Sequence, residues 1–383
     1  MRIAGLFAGI GGLELPFRQA GHSTALLCDS WEPSQKVLAT HFPDVPLVGD
    51  VAQVAELPDD VELVTAGFPC TDLSQAGRTA GINGKQSGLV SNVFRLLESA
   101  GADWLVLENV RNMLVLDRGE AMNYLVGRLE DLGFTWAYRL VDSRFTGVPQ
   151  RRHRVILVAS RCEGDPREVL FADDAGEDLS LYGDEAYGFY WTEGLRGLGW
   201  AQDAVPPLKG GSTVGIPSAP GVWLPNAEPG RKLVVPSTND AERLQGFPAG
   251  WTEPAQTKGK NGPRWKLVGN AVTVGVTDWL VSRLDNPGSF NPAEPPKVLR
   301  AGDRWPNAAW GRRGEAWAVE VSTWPQGRPY QHLADVMDVG NAEALSHRAV
   351  NGFLNRASRS TLRFDETFLR DCKEHLELTR PLG

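Results

Sequence analysis

Short apolar runs alternate with amphipathic stretches along residues 1–160, and that rhythm restricts the fold more than any other feature of the chain. Arg2–Leu6, Thr24–Leu27, Val61–Thr65, Trp104–Leu107 and Val155–Ala159 read as buried strands. Leu13–Ala20, Ser34–His41, Val90–Ala100 and Ala121–Leu132 read as helices. Apolar strands separated by helices imply an α/β core, a mostly parallel sheet covered on both faces. With 383 residues the chain exceeds what one core usually organises, so about two domains are expected. The rhythm fails over 161–236, a stretch rich in Gly, Pro and Trp that predicts a smaller, irregular domain. It returns as helical patterning over 237–286, which completes both that domain and the core. A Pro-rich linker opens at Asn286-Pro287, and 287–383 is a linker plus extension that carries no motif. Within it, Leu345–Ser360 has basic residues at helical spacing. DNA contact, packing on the catalytic domain and partner binding are open to it, and packing ranks first.

Composition removes several classes. Hydrophobic residues make up 42% and charged residues 22%, which argues against a disordered chain or a fibre. No run approaches the roughly 18 apolar residues of a membrane span, and no basic segment followed by an apolar run opens the chain. The four cysteines, Cys28, Cys70, Cys162 and Cys372, form no CxxC pair, so neither a disulfide framework, a zinc site nor any other metal is expected, and a cytoplasmic setting fits. The net charge of −8 is concentrated. Between Glu163 and Glu185 stand nine acids (Glu163, Asp165, Glu168, Asp173, Asp174, Glu177, Asp178, Asp184 and Glu185) against one base, Arg167. Gln150-Arg151-Arg152-His153-Arg154 and the stretch from Lys258 to Lys266 (Lys258, Lys260, Arg264, Lys266) are locally basic, and local patches attract phosphates whatever the net charge.

Three strand ends present chemistry. Phe7-Ala8-Gly9-Ile10-Gly11-Gly12 follows a strand and opens a helix, where glycines let a backbone turn tightly against a ligand. Asp29 lies twenty residues after Gly9, the usual offset for an acid that meets ribose hydroxyls, and Asp50 ends the third unit. A nucleoside-type ligand fits, and a nicotinamide-dependent oxidoreductase remains compatible at this point. Gly67-Phe68-Pro69-Cys70 puts a thiol at a strand C-terminus, in the crevice where such sheets bind ligands. The polar, Gly-rich stretch Thr71–Leu89 suits a lid. Glu108, in Glu108-Asn109-Val110, ends the next strand and is expected in the same crevice. A thiol beside a carboxylate, without a histidine, suits covalent attack on an electron-poor ring better than proteolysis.

These blocks, in this order, resemble the cytosine-5 DNA methyltransferases. Besides the five above, the matching elements are Gln150–Arg154, Arg243-Leu244-Gln245-Gly246-Phe247-Pro248 and Gly269-Asn270-Ala271-Val272, and the whole spans roughly residues 1–285. The resemblance implies a Rossmann-like S-adenosylmethionine-dependent methyltransferase core with a small irregular target-recognition domain. It implies that Cys70 attacks carbon 6 of a flipped-out cytosine while Glu108 bonds ring nitrogen 3 and the amine. Arg154 bonds the exocyclic oxygen, and Arg152 and Gln150 order the site. The cofactor cradle would comprise Phe7, Ala8, Gly9, Ile10, Gly11, Gly12, Asp29, Ser30, Asp50, Val51, Gly67, Pro69, Asn270, Ala271 and Val272. Phe7 would stack on the adenine, Asp50 would meet its amine, and Asn270 would hold the methionine part. The family usually has Glu at the ribose position; in this chain the acid is Asp29 or Glu32, with the neighbouring aromatic at Trp31.

A duplex base must be extruded before a thiol can reach it. Ser74, Lys85 and Ser87 in the lid are expected to fix phosphates, as are Lys258 and Lys260, and Lys209 in the Gly-rich segment Lys209–Thr213 to meet a phosphate or guanine. The resemblance implies double-stranded DNA as substrate, a monomer in the bacterial cytosol, and a cognate restriction endonuclease as a possible companion. Two other readings share the scaffold. A tRNA-methylating branch carries a Cys-Phe-Thr element that is absent from this sequence. A catalytically dead DNA-binding protein would not need Cys70, Glu108, Arg154 and Asn270 together.

Overall fold

The computed structural model describes residues 1–68, 88–210, 219–258, 262–291, 297–300 and 302–380. They form two compact units, one of 1–146, 153–177 and 271–327, the other of 147–152, 178–270 and 328–383.

The first unit is built on β1 (Arg2–Leu6), β2 (Ser23–Cys28), β3 (Leu47–Val48), β4 (Leu63–Ala66), β5 (Trp104–Val110), β6 (Thr135–Asp142) and β7 (His153–Ser160). The helices α1 (Glu14–Gln19), α2 (Glu32–His41), α3 (Leu89–Ser99) and α4 (Glu120–Asp131) pack around them. Strands β1, β4, β5 and β7 are almost wholly buried, which is why they read as unbroken apolar runs rather than alternating ones. Helix α3 turns Val90, Val93, Phe94, Leu96 and Leu97 inward, the stripe expected of an amphipathic helix on a sheet.

The expected mostly parallel sheet is instead mixed. Strands β3-β2-β1-β4-β5 are parallel neighbours, but β5 with β7 and β7 with β6 are antiparallel. The link 143–152 holds no crossover helix, and an antiparallel pair needs only a short connection whereas a parallel one needs a long crossover. Strand β6, read in the sequence as no element, is buried along nearly its whole length.

Part of the stretch read as linker and extension also joins this sheet. Among the described residues, β12 (Lys297–Leu299), β13 (Ala308–Arg312) and β14 (Glu315–Ala318) extend it beyond β6, with Trp310 opposite Ala137, giving ten strands. Helix α5 (Pro166–Leu170), with α8 (Val274–Asp285), completes the unit.

The acidic run turns out to supply counter-ions. Asp174 pairs with fully buried Arg139 at 2.8 Å, Glu177 with Arg144 at 2.8 Å, Asp173 with Arg283 at 3.0 Å and Asp165 with Arg167 at 2.6 Å.

The second unit holds a five-stranded antiparallel sheet among the described residues. In spatial order it is β15 (Glu343–Ala344), β11 (Leu233–Val235), β10 (Gly221–Trp223), β8 (Tyr187–Phe189) and β9 (Ala201–Gln202). Its helices are α6 (Thr238–Leu244), α7 (Arg264–Asn270), α9 (Leu333–Val336), α10 (His347–Ala357) and α11 (Glu366–Leu378). The described residues of 328–380 therefore pack with those of 178–270. Phe353 of α10 and Phe368 of α11 meet Phe189 at 5.6 and 5.0 Å between ring centroids. Trp223 donates from Nε1 to buried Asp371 Oδ2 at 3.0 Å, so this tryptophan and the last helix share one core. Among the described residues no helix is long and apolar enough to cross a membrane, and no three His, Cys, Asp or Glu side chains cluster to hold a metal.

Candidate active site

The first unit gathers the glycine turn and the three acids at the C-terminal ends of its parallel strands, where an open α/β sheet leaves its binding crevice. Phe7 leaves β1 at φ +56°, a region an L side chain seldom adopts, and Gly9 and Gly11 follow at φ +58° and +84°. A Cβ at Gly9 would meet nothing within 4 Å, so the turn faces open space there, whereas one at Gly11 would strike Phe42 at 2.6 Å. Gly11 is thus a packing requirement and Gly9 leaves room for a ligand. Ala8, Ile10 and Gly12 are buried beneath the turn.

Asp29 follows β2 directly. Its Oδ2 accepts from the Gly9 N–H and its Oδ1 from the Trp31 N–H, each at 2.9 Å. Burial raises its pKa against those bonds, which favour the carboxylate. The two candidate ribose acids therefore stand in different places. Asp29 touches the glycine turn, while Glu32 is exposed on α2, paired with Lys36 at 2.9 Å, which lowers its pKa. Ser30 is exposed beside Asp29. Asp50 caps a short 3-10 turn over Val51–Gln53, its Oδ1 accepting from Ala52 N–H at 2.9 Å, with Val51 buried.

Beneath the turn lies a buried acid that sequence reasoning passed over. Glu14 accepts from Thr65 Oγ1 at 2.7 Å, and burial lifts its pKa from 4.5 to about 7. Its only sequence signal is a carboxylate on a helix whose other inward residues are apolar.

The strand end that precedes Cys70 sits against both neighbours. A Cβ at Gly67 would lie 3.9 Å from the Phe7 carbonyl, and the Phe7 and Phe68 rings meet edge to face at 6.4 Å. Ala66 is in register with Leu107, the residue before Glu108. Asn109 Nδ2 donates to the Phe68 carbonyl at 3.0 Å, tying the two strand ends together. Pro69, Cys70, Ser74, Lys85, Ser87 and Lys260 lie outside the described residues.

Glu108 and Arg154 form an acid–base pair that sequence spacing could not reveal. Val110 faces Arg154 across the β5–β7 ladder, so Glu108 and Arg154 are diagonal neighbours on one face. Arg154 Nε lies 2.8 Å from Glu108 Oε1, and both side chains are nearly buried, at 13% and 11% exposure. A carboxylate held by a guanidinium at a crevice edge can offer one oxygen to a ligand while its charge stays matched.

Gln150 and Arg152 belong to the second unit. Gln150 Oε1 accepts from Leu208 N–H at 3.0 Å, and Nε2 donates to the Leu244 carbonyl at 2.9 Å and Gln245 Oε1 at 3.0 Å. Gln245 in turn donates to the Val268 carbonyl at 2.9 Å. Arg152 donates to the Leu208 carbonyl at 3.0 Å and the Gly269 carbonyl at 3.4 Å. These buried side chains hold together the segments leading to Lys209 and Asn270. A Cβ on Gly269 would strike the Lys209 carbonyl and the Gly210 nitrogen, so both backbones run closely side by side. Asn270 is exposed, Ala271 buried and Val272 half-buried. Lys209 Nζ lies 3.8 Å above the Tyr190 ring and 3.3 Å from Glu193, and Lys258 is exposed.

Comparison with known proteins places the chain in a family. The family of C-5 cytosine-specific DNA methylases matches residues 1–176. The chain is 45% identical to the Type II methyltransferase M2.BsuMI of Bacillus subtilis (strain 168), over 98% of each chain. It is 26% identical to the Type II methyltransferase M.SsoII of Shigella sonnei, over 74% of this chain and 81% of the other. Among solved structures, the S. pombe Dnmt2 methyltransferase matches in fold with a TM-score of 0.55 at 16% identity, covering 74% of this chain and 98% of that one.

Proposed function

The chain belongs to the C-5 cytosine-specific DNA methylase family, and on that premise we propose that it methylates carbon 5 of an extruded cytosine through a Cys70 adduct, with S-adenosylmethionine as donor. The observation that carries the proposal is the Glu108–Arg154 pair at 2.8 Å, with Glu108 on the strand bonded to the one whose sequence leads into Cys70.

The residues around the glycine turn fit a nucleoside-bearing cofactor. Gly9 borders open space, the Asp29 carboxylate stands beside it, and Phe7 is held at the rim in a strained backbone conformation. S-adenosylmethionine, when bound, supplies an electrophilic methyl group on its sulfonium. The chain's own groups make the pyrimidine reactive toward it. The Cys70 thiolate forms a bond to carbon 6, and the ring's displaced electron pair is met by a proton from the Glu108 carboxyl group at nitrogen 3. Carbon 5 thereby gains the nucleophilicity that an aromatic cytosine lacks. Arg154 holds Glu108 and offers donors to the exocyclic oxygen. After methyl uptake, loss of the carbon 5 proton to a base and departure of the thiolate restore the ring.

Extrusion of the base costs a few kcal/mol, which phosphate contacts from Ser74, Lys85, Ser87, Lys209, Lys258 and Lys260 offset. Asn270 would hold the methionine part of the cofactor. A monomer in the bacterial cytosol, acting alongside a restriction endonuclease, suits a chain so similar to Type II methyltransferases.

Cys70→Ala should abolish methyl incorporation into bacterial genomic DNA while S-adenosylhomocysteine still binds. Duplex DNA containing 5-fluorocytosine should trap an adduct, because fluorine cannot leave as a cation. An adduct mapping to Cys28, Cys162 or Cys372, or full activity in the Cys70 variant, rejects the mechanism.

A further inference from the structure

Helix α10 presents an exposed polar and basic face that none of the family blocks includes. Its inward face is Ala349, Val350, Phe353 and Ala357, all buried. Its outward face presents Arg348, Asn351 and Asn355, followed one turn on by Arg359, all exposed. Among the described residues none of these four side chains makes a hydrogen bond or an ion pair. From His347 to Phe364 the sequence holds four arginines and no acid, in a chain whose net charge is −8. The next helix, α11, is by contrast mixed, with Glu366, Glu374 and Glu377 beside Arg370 and Lys373.

Two further observations point outward from this face. Gly352 stands in the middle of the helix on the same side, where a Cβ would meet only the Arg356 guanidinium, at 3.4 Å. Glycine weakens a helix interior, so its presence there favours close approach by another molecule over helix stability. Arg356 fastens the end of the helix to the recognition segment. Its Nε donates to the Glu193 carbonyl at 2.9 Å and its Nη2 to the Trp191 carbonyl at 2.6 Å. Glu193 pairs with Lys209 at 3.3 Å, so α10 and the Gly-rich Lys209 segment are joined through a single loop of the second unit.

We propose that α10 enters the major groove of the substrate duplex and takes part in reading its sequence. A helix about 10–12 Å across fits a major groove about 12 Å wide. Asparagine matches the donor–acceptor edge of adenine, and arginine matches guanine or phosphate. This inference rests on the assignment of DNA as substrate.

The test uses the full chain, a fluorescein-labelled random-sequence duplex for binding, and unmethylated bacterial genomic DNA for methylation mapped by sequencing. Arg348→Ala/Arg359→Ala should flatten the dependence of log affinity on log salt by about 2, at roughly 0.9 for each phosphate no longer neutralised. Asn351→Ala/Asn355→Ala should keep that slope but lower methylation at preferred sites on the order of 10-fold relative to others. Gly352→Gln should raise Tm or leave it unchanged while weakening both binding and methylation, which a purely structural helix would not do. Wild-type salt slope, affinity and methylation map in all three folded variants overturn the proposal. If the wild-type protein methylates no DNA, the assignment of substrate fails by itself, and the salt slope still tests the helix.

Discussion

Glu14→Gln is the perturbation whose size can be worked furthest. Glu14 sits in the first turn of α1, fully buried, with Thr65 Oγ1 donating to Oε1 at 2.7 Å and no hydrogen-bond partner on Oε2 among the described residues. The neighbouring strand makes room only because residue 5 is glycine, since a Cβ there would approach Oε1 to 2.5 Å. Burial, with a smaller contribution from the charge on Asp29, lifts the pKa from 4.5 to about 7, while the bond from Thr65 opposes the rise. The folded state thus binds the proton more tightly than the unfolded chain does. The resulting stability is fully present below pH 4.5 and is lost as pH rises to 7. At 1.36 kcal/mol per pH unit the loss is about 3 kcal/mol. Glutamine has the same shape, keeps the acceptor for Thr65 and stays neutral at every pH. The stability of Glu14→Gln relative to wild type should therefore climb by about 3 kcal/mol between pH 4.5 and 8. For a body of ~200 residues that is a gain of ~6–12 °C in relative Tm. Thermal unfolding followed by circular dichroism at intervals across that range measures it. A difference between the two proteins that stays constant with pH refutes the reasoning.

Three other outcomes follow from the site and the core. Asp29→Ala leaves two backbone N–H groups without their acceptor and should weaken S-adenosylhomocysteine binding by ~10-fold or more, whereas Glu32→Ala, which breaks only an exposed pair, should change it less than ~3-fold; titration calorimetry decides, and equal effects would remove Asp29 from the ribose position. Glu108→Gln should lower single-turnover methyl transfer by about 10²–10⁴ with DNA affinity retained, and a fall below 10-fold would deny it proton transfer. Arg139→Met takes the donor from the carbonyls of Leu170, Asp173 and Ser322, while Asp174 keeps its bonds from Ser322, and should cost about 3–5 kcal/mol in chemical denaturation at ~1–3 kcal/mol per orphaned acceptor, against under ~1 kcal/mol if those carbonyls find other partners.

Local physics makes much of the core legible from neighbouring residues alone. The strand, glycine turn and helix over residues 2–19 depend on an apolar run, positive-φ positions and a helical period, each written within a few neighbouring residues. The same holds for Asp29, whose offset from Gly9 follows from the length of one helix between two adjacent parallel strands. Strand β6 escaped notice, although it is buried along nearly its whole length, because its Arg139 and Asp142 interrupt the apolar run. Both are buried, and the partner of Arg139, Asp174, is one that only the fold supplies. The acidic run gave no hint that its members neutralise Arg139, Arg144, Arg167 and Arg283, since every one of those pairs but Asp165–Arg167 spans at least thirty residues.

What the sequence determined alone is the candidate reactive groups and the parallel half of the sheet, because both are local: a thiol, a carboxylate and a glycine turn declare themselves by type and spacing. What tertiary structure decided is which charges meet. The antiparallel register of β5 and β7 brings Glu108 to Arg154, and the folding of residues 328–380 onto the second unit turns an unassigned tail into part of its core. Pairing across a sheet and burial against a distant segment depend on how the chain returns, and no window of neighbouring residues encodes that return.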